Sequence, residues 1–296
     1  MKKLHNSRND DRAFDIGIYC ISGLIALICL YPLYLVLINS LSDPFAVARG
    51  EVYLLPQGFS FDAYVEAFKN GDIMRGYANS LFYLVVGVAL NMVLTIPAAY
   101  ALSKQHMKGR NFIMMMIVFT MYFSGGLVPH YLMVRDLGLS NTRAVVILEG
   151  AVVTTNLIIA RTFFASSVPR ELEEAAEIDG CSGTQVFFKI VLPLSKAMLG
   201  VILLYYAVGR WNNYTSSLYY QPRAEELHSL QMVIKKMVLQ MQAAANAESE
   251  LAEYYANLFN QIKYSVIVIA SLPLLVLYPF LQKYFEKGVM IGSVKG

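Results

Sequence analysis

The sequence predicts an all-α polytopic membrane protein that crosses the bilayer six times, and three observations carry that reading. Hydrophobic residues make up 56% of the 296 positions, charged residues 15%, and the mean hydropathy is +0.48, which is too apolar for an ordinary soluble domain. The apolar residues are gathered into runs long enough to cross a hydrocarbon core of ~30 Å, which takes roughly 20 helical residues. Four of those runs, 16–40, 76–103, 111–134 and 264–282, contain no Lys, Arg, Asp or Glu.

The first run, 16–40, follows a basic start with Lys2, Lys3, Arg8 and Arg12. It exceeds the ~7–15 residues of a signal-peptide core, so an anchor that stays in place is expected. The connection 41–75 has turn signals at Ser42-Asp43-Pro44 and Pro56-Gln57-Gly58 and a short amphipathic piece over 61–68, which predicts a folded outside cap. Runs 76–103 and 111–134 flank a short basic loop, 104–110, and should form an antiparallel hairpin.

Two more runs qualify with one charge inside: 144–160 holds Glu149 and 197–221 holds Arg210. Between them lies a loop of about 167–195, and after them an outside segment of about 222–263. From 230 to 256 this segment is rich in Gln, Ala, Met and Glu without Pro or Gly, a composition that favours helix. Leu230, Val233, Ile234, Met237 and Met241 recur at helical spacing, so one face should rest on the membrane surface or on a partner. The plan is a cytoplasmic N-terminus (1–13), a six-helix domain (14–285) and a cytoplasmic C-terminal tail (286–296).

Orientation follows from where Lys and Arg collect, because cytoplasmic loops of membrane proteins hold the excess. The short segments carrying Lys104, Lys108 and Arg110, then Arg161, Arg170, Lys189 and Lys196, then Lys283, Lys287 and Lys295, share a side with the basic N-terminus. Both termini are therefore expected in the cytoplasm. Cys20, Cys29 and Cys181 have no metal or redox spacing and read as packing residues.

The loop "EAAEIDGCSGTQVFFKIVLP", 174–193, interrupts an oily chain with a carboxylate-rich turn of helix, a glycine break and a terminal proline. Ser167-Val168-Pro169 and the acids Glu171, Glu173 and Glu174 are helix-start signals, and Gly180 and Gly183 allow the helix to stop and turn. A second helical piece, 184–191, should follow and run to Pro193. Ala175 and Ala176 expose little side chain, so another surface can approach the backbone. The result is either a helix–turn–helix shaped to dock in a groove or a solvated acidic loop.

Glu174-Ala175-Ala176, Asp179-Gly180, Phe187 or Phe188, Ile190 and Leu192-Pro193 resemble the EAA motif of ABC-importer permease subunits. The tail "KYFEKGVMIGSVKG", 283–296, is similar to that of the maltose-type permease, with Ser293 standing where that pattern has glycine. The stretches 123–139 and 273–285 resemble a branch of carbohydrate permeases associated with oligosaccharides such as polygalacturonan or alginate fragments. The resemblance implies a type I ABC-importer permease fold in a bacterial inner membrane. It implies a coupling helix at Glu174, Ala175, Ala176, Asp179 and Gly180, and an ATPase-contacting tail at Gly288, Gly292, Val294, Lys295 and Gly296. The implied partners are a second homologous permease, two ATPase subunits, an extracellular solute-binding protein and an oligosaccharide substrate.

The chain has no G-x-x-x-x-G-K-[ST] phosphate loop, so ATP and Mg are expected on the partner ATPase and no cofactor on this chain. Nothing resembles a catalytic triad, an H-E-x-x-H helix or a paired Cys cluster, and no enzyme, metal site or nucleic-acid partner is expected. A permease for a non-carbohydrate solute and a secondary transporter are the competing readings.

Glu149 and Arg210 should sit about 10 and 14 Å below the outer surface at ~1.5 Å per residue. They solve their burial as an ion pair, as walls of a wet cavity, or by Arg210 snorkelling while Glu149 meets water or is protonated. Arg210, Trp211, Asn212, Asn213 and Tyr214 combine a cation, aromatic faces and amides that suit a translocated sugar. An interfacial aromatic belt accounts for the same aromatics.

Overall fold

The computed structural model describes residues 7–245, 262–276 and 279, and these are helical with no strand among them. They fall into two compact units, one drawn from Met1–Asn70 and Met237–Ala270, the other from Gly71–Lys236 and Ser271–Gly296.

The first unit opens with α1, Ser7–Ser40. Its apolar part, Phe14–Ser40, is 27 residues long and its side chains are almost entirely exposed within the chain, as expected of a helix whose solvent is lipid or another subunit. Cys20 and Cys29 are exposed on it, which corrects the reading of them as packed residues. The connection after α1 is folded, whichever side it faces. Asp43 accepts from Ala46 N at the start of α2, Pro44–Ala48, while Asp43 N donates to Gln57 O at 2.8 Å and Ser60 N to Leu41 O at 3.0 Å. Ile38, Ala46, Val47 and Val52 make a small core. Helix α3, Asp62–Lys69, is tied to the later apolar helix by Ser265 Oγ, which donates to Ala63 O at 3.0 Å.

The second unit is built on α4, Gly71–Ser103, 33 residues and apolar enough to cross a membrane unaided. The run 111–134, expected as one span, is instead two helices, α5 (Arg110–Tyr122) and α6 (Leu127–Asp136), bent by 114°. Ser124-Gly125-Gly126 makes the break, with Gly126 at φ 85°, a conformation that a Cβ disfavours. The run 144–160 is also discontinuous: α7 (Arg143–Leu148) ends at Glu149-Gly150, and α8 (Thr154–Ser167) begins after a turn through Gly150 at φ 65°. The loop that follows carries α9 (Arg170–Ile178), α10 (Gly183–Val186), a wider π-helical turn (Phe187–Val191) and α11 (Leu192–Leu194).

The chain then turns by 82° at Ser195 into α12, Lys196–Trp211. Residues 212–214 break the expected 197–221 span, and α13, Thr215–Tyr220, follows. A short 3-10 turn, Glu225–Leu227, leads to α14, Leu230–Ala245, so the expected helix from 230 is present as far as described. The last described helix is α15, Ile262–Val276. Among the described residues two helices meet the length and apolarity needed to span, and four do if each bent pair counts as one. The unit's core joins α4, α8 and α12 through Ile96, Ala99, Ala160, Phe164, Ile202 and Tyr206.

Candidate functional site

The 167–195 loop is built as two helices around one sharp turn. Pro169 enters extended, and the first turn of α9 holds Glu171 and Glu173, where the helix start favours carboxylates. At its other end Cys181 N donates to Ala176 O at 2.9 Å and Gly180 N to Glu177 O at 3.0 Å. With Gly180 at φ 80°, this is a Schellman motif, the usual way a glycine ends a helix. Cys181 packs on the core. Gly183 does not stop a helix but begins α10, because Ser182 accepts from Gln185 N while the Gln185 side chain accepts from Ser182 N, a capping box.

The loop has an inner and an outer face. Ala176, Val186, Phe187 and Val191 are buried in the core of the unit, so Ala176 packs inward rather than offering the open surface expected of it. Glu174, Ala175, Asp179 and Gly180 are exposed, and Ile178 is 87% exposed at the tip of α9.

Glu173 fixes the loop to the end of α4: Lys104 forms an ion pair with it, and Tyr100 Oη donates to it at 3.2 Å. Lys104 also lies 4.1 Å from the centre of the Tyr100 ring. Beside this anchor a cavity of about 610 Å³ is lined by charged residues of both signs, among them Lys104, Arg110, Arg161, Glu173, Glu174 and Glu177.

Arg210 and Glu149 do not pair. Arg210 is 9% exposed and does not snorkel, and it forms no ion pair with Glu149. Its Nε donates to Asn91 Oδ1 at 3.0 Å and its terminal nitrogens to Val146 O and Ile147 O. Glu149 is half-buried and accepts from Ser216 Oγ. Asn213, just before α13, donates to Ser216 Oγ at 2.8 Å and accepts from Ser216 N at 3.1 Å. Trp211 is buried edge-on against Tyr77, so its ring is not an open stacking face. Asn212 is exposed and Tyr214 half-buried.

Sequence reasoning did not single out Asn91, Gly87 or Ser216. A polar Asn inside a charge-free span was the available signal for the first, and the S-x-x-Q spacing announced the capping box at Ser182. The tail residues Gly288, Gly292, Val294, Lys295 and Gly296 lie outside the described residues.

Residues 73–291 match the family described as binding-protein-dependent transport system inner membrane component. Protein LplC of Bacillus subtilis is 39% identical over 298 residues, covering 100% of both chains. The polygalacturonan/rhamnogalacturonan transport system permease protein YtcP of the same species is 39% identical, covering 97% of this chain and 99% of the relative. Among solved structures, a chain from a bacterial ABC transporter involved in the import of the acidic polysaccharide alginate superposes with a TM-score of 0.84 at 34% identity, covering 96% of this chain and 100% of the other.

Proposed function

Because this chain belongs to the binding-protein-dependent transport system inner membrane component family, we propose that it is the permease subunit of an ABC importer for oligosaccharides. It is a membrane transport subunit and not an enzyme. The single observation that carries the mechanism is the 167–195 loop, which buries Ala176 and Phe187, ends α9 on Gly180 and leaves Glu174 and Ile178 exposed. A separate ATPase, carrying ATP and Mg, grips that outer face. Glu173 passes the movement to α4 through Lys104, and the core through Phe164, Phe187 and Ile202 passes it to α8 and α12.

In this reading the spans alternate between inward-open and outward-open states, the broken runs count as crossings, and both termini face the cytoplasm. The charge distribution along the chain supports that orientation. A second permease completes the pathway, two ATPase copies drive it, and a solute-binding protein delivers substrate from outside. Such coupling requires partners that bind the two states with different affinity. The relatives that handle polygalacturonan and alginate support an acidic oligosaccharide as the cargo. Reconstitution with these partners in vesicles tests the assignment. ATP-dependent uptake of uronate oligosaccharides is expected, and uptake of peptides in preference to every saccharide would overturn it.

A further inference from the structure

Arg210 spends its guanidinium on the protein itself. Val146 and Ile147 lie in the last turn of α7, where carbonyls have no helical partner, and Gly150 and Ala151 follow before α8 begins. Arg210 from α12 donates to the first two, at 2.5 and 2.8 Å. Asn91 from α4 donates to the other two at 2.8 and 2.7 Å while accepting from Arg210 Nε. The next backbone group is held in the same way, since Val153 N donates to Tyr206 Oη at 3.1 Å, and Tyr206 shares a hydrogen bond of 2.6 Å with Thr95.

An unwound segment at membrane depth survives only where its backbone groups find such partners. The geometry is also sterically provided for. A Cβ at Gly87 would lie 3.0 Å from Arg210 Nε and 3.2 Å from its Cδ, so α4 carries a glycine where the guanidinium passes.

We propose that Arg210 is a positioning residue: with Asn91 it clamps the end of α7 and the turn that follows it, 146–151, and binds α4, α7–α8 and α12 into one body that moves together during transport. The guanidinium does not read the charge of the cargo, and Glu149, held by Ser216 in the same stretch, is positioned by the clamp. A lysine cannot replace the fork, because an ammonium is a point charge without paired planar donors. The inference rests on the transport reading above.

The test uses the full transporter in vesicles, with the amount of assembled complex measured for each variant. Readouts are solute imported per ATP hydrolysed and the uptake ratio of a uronate oligosaccharide to a neutral one of equal length. For Arg210→Lys the coupling ratio should fall roughly tenfold or more, as expected for lost charge-assisted hydrogen bonds, with the uptake ratio unchanged. Asn91→Asp, which keeps the acceptor but loses both donations, should fall alongside it. Normal coupling in Arg210→Lys, or selective loss of uronate uptake, would overturn the clamp. Should Arg210→Lys fail to assemble, Gly87→Ala decides the matter: lowered coupling supports the clamp and wild-type coupling overturns it. Failure of the wild type to import any saccharide would count against the oligosaccharide reading alone, and the coupling ratio is then read with the solute it does carry.

Discussion

Lys104, one residue beyond α4, is ion-paired with Glu173 in the first turn of α9, and the two side chains are only 21% and 15% exposed. This pair is a direct polar link between the exposed loop and the long helix of its unit. Glu173→Gln should therefore cost about 1–2 kcal/mol, between the values for exposed and buried pairs, read as a lower melting temperature of the purified protein. The double exchange Lys104→Glu with Glu173→Lys should recover part of the loss. Equal stability of Glu173→Gln and wild type would show that the pair is idle.

Gly180 has open space around it, with no atom within 4 Å of the place a Cβ would take, yet its φ is +80°. A substitution there is penalised by backbone strain alone, by about 1–2 kcal/mol. Gly180→Asn should be milder than Gly180→Val, because Asn tolerates the left-handed region and a β-branched residue does not. Hydrogen exchange at Cys181 N and at the residue 180 amide orders the variants, and equal protection in both would refute the strain argument.

Ser182→Ala removes one half of the capping box on α10 and should cost about 0.5–2 kcal/mol. The loss is local, so amide exchange should accelerate over 183–187 while α4 and α12 keep their protection. Uniform acceleration across the unit would mean that the cap supports more than its own helix.

Gly76 lets α4 approach the start of α14 closely, since an added Cβ would meet Val233 Cγ2 at 3.0 Å and Leu230 Cα at 3.2 Å. Gly76→Ala should destabilise by about 1–3 kcal/mol through overpacking. Gly71→Ala, with no atom within 4 Å, should be neutral or slightly stabilising. Thermal unfolding of the two variants side by side checks the contrast.

Much of this was legible in the chain. Apolar run length identified α1 and α4, and Pro169, the acids after it and Gly180 marked both ends of α9. The three interrupted runs illustrate what hydropathy averages away: Gly125-Gly126, Glu149-Gly150 and Asn212-Asn213 are local breakers inside segments whose mean composition still reads as a span. Arg210 and Asn91 are 119 positions apart, and their shared task is set by tertiary packing that no local pattern encodes. The same is true of Ala176, whose inward face is decided by the core beneath it and not by the motif around it.

Under the proposed function the outer face of the 167–195 loop is the grip by which a separate ATPase moves this chain, and Glu174→Lys probes that grip. Glu174 is exposed, so the variant should keep the wild-type melting temperature to within about 0.5 kcal/mol of stability. In vesicles containing the complete transporter, ATP-driven import should be abolished or severely reduced. Import at the wild-type rate by a correctly assembled Glu174→Lys transporter would show that the ATPase does not grip this face.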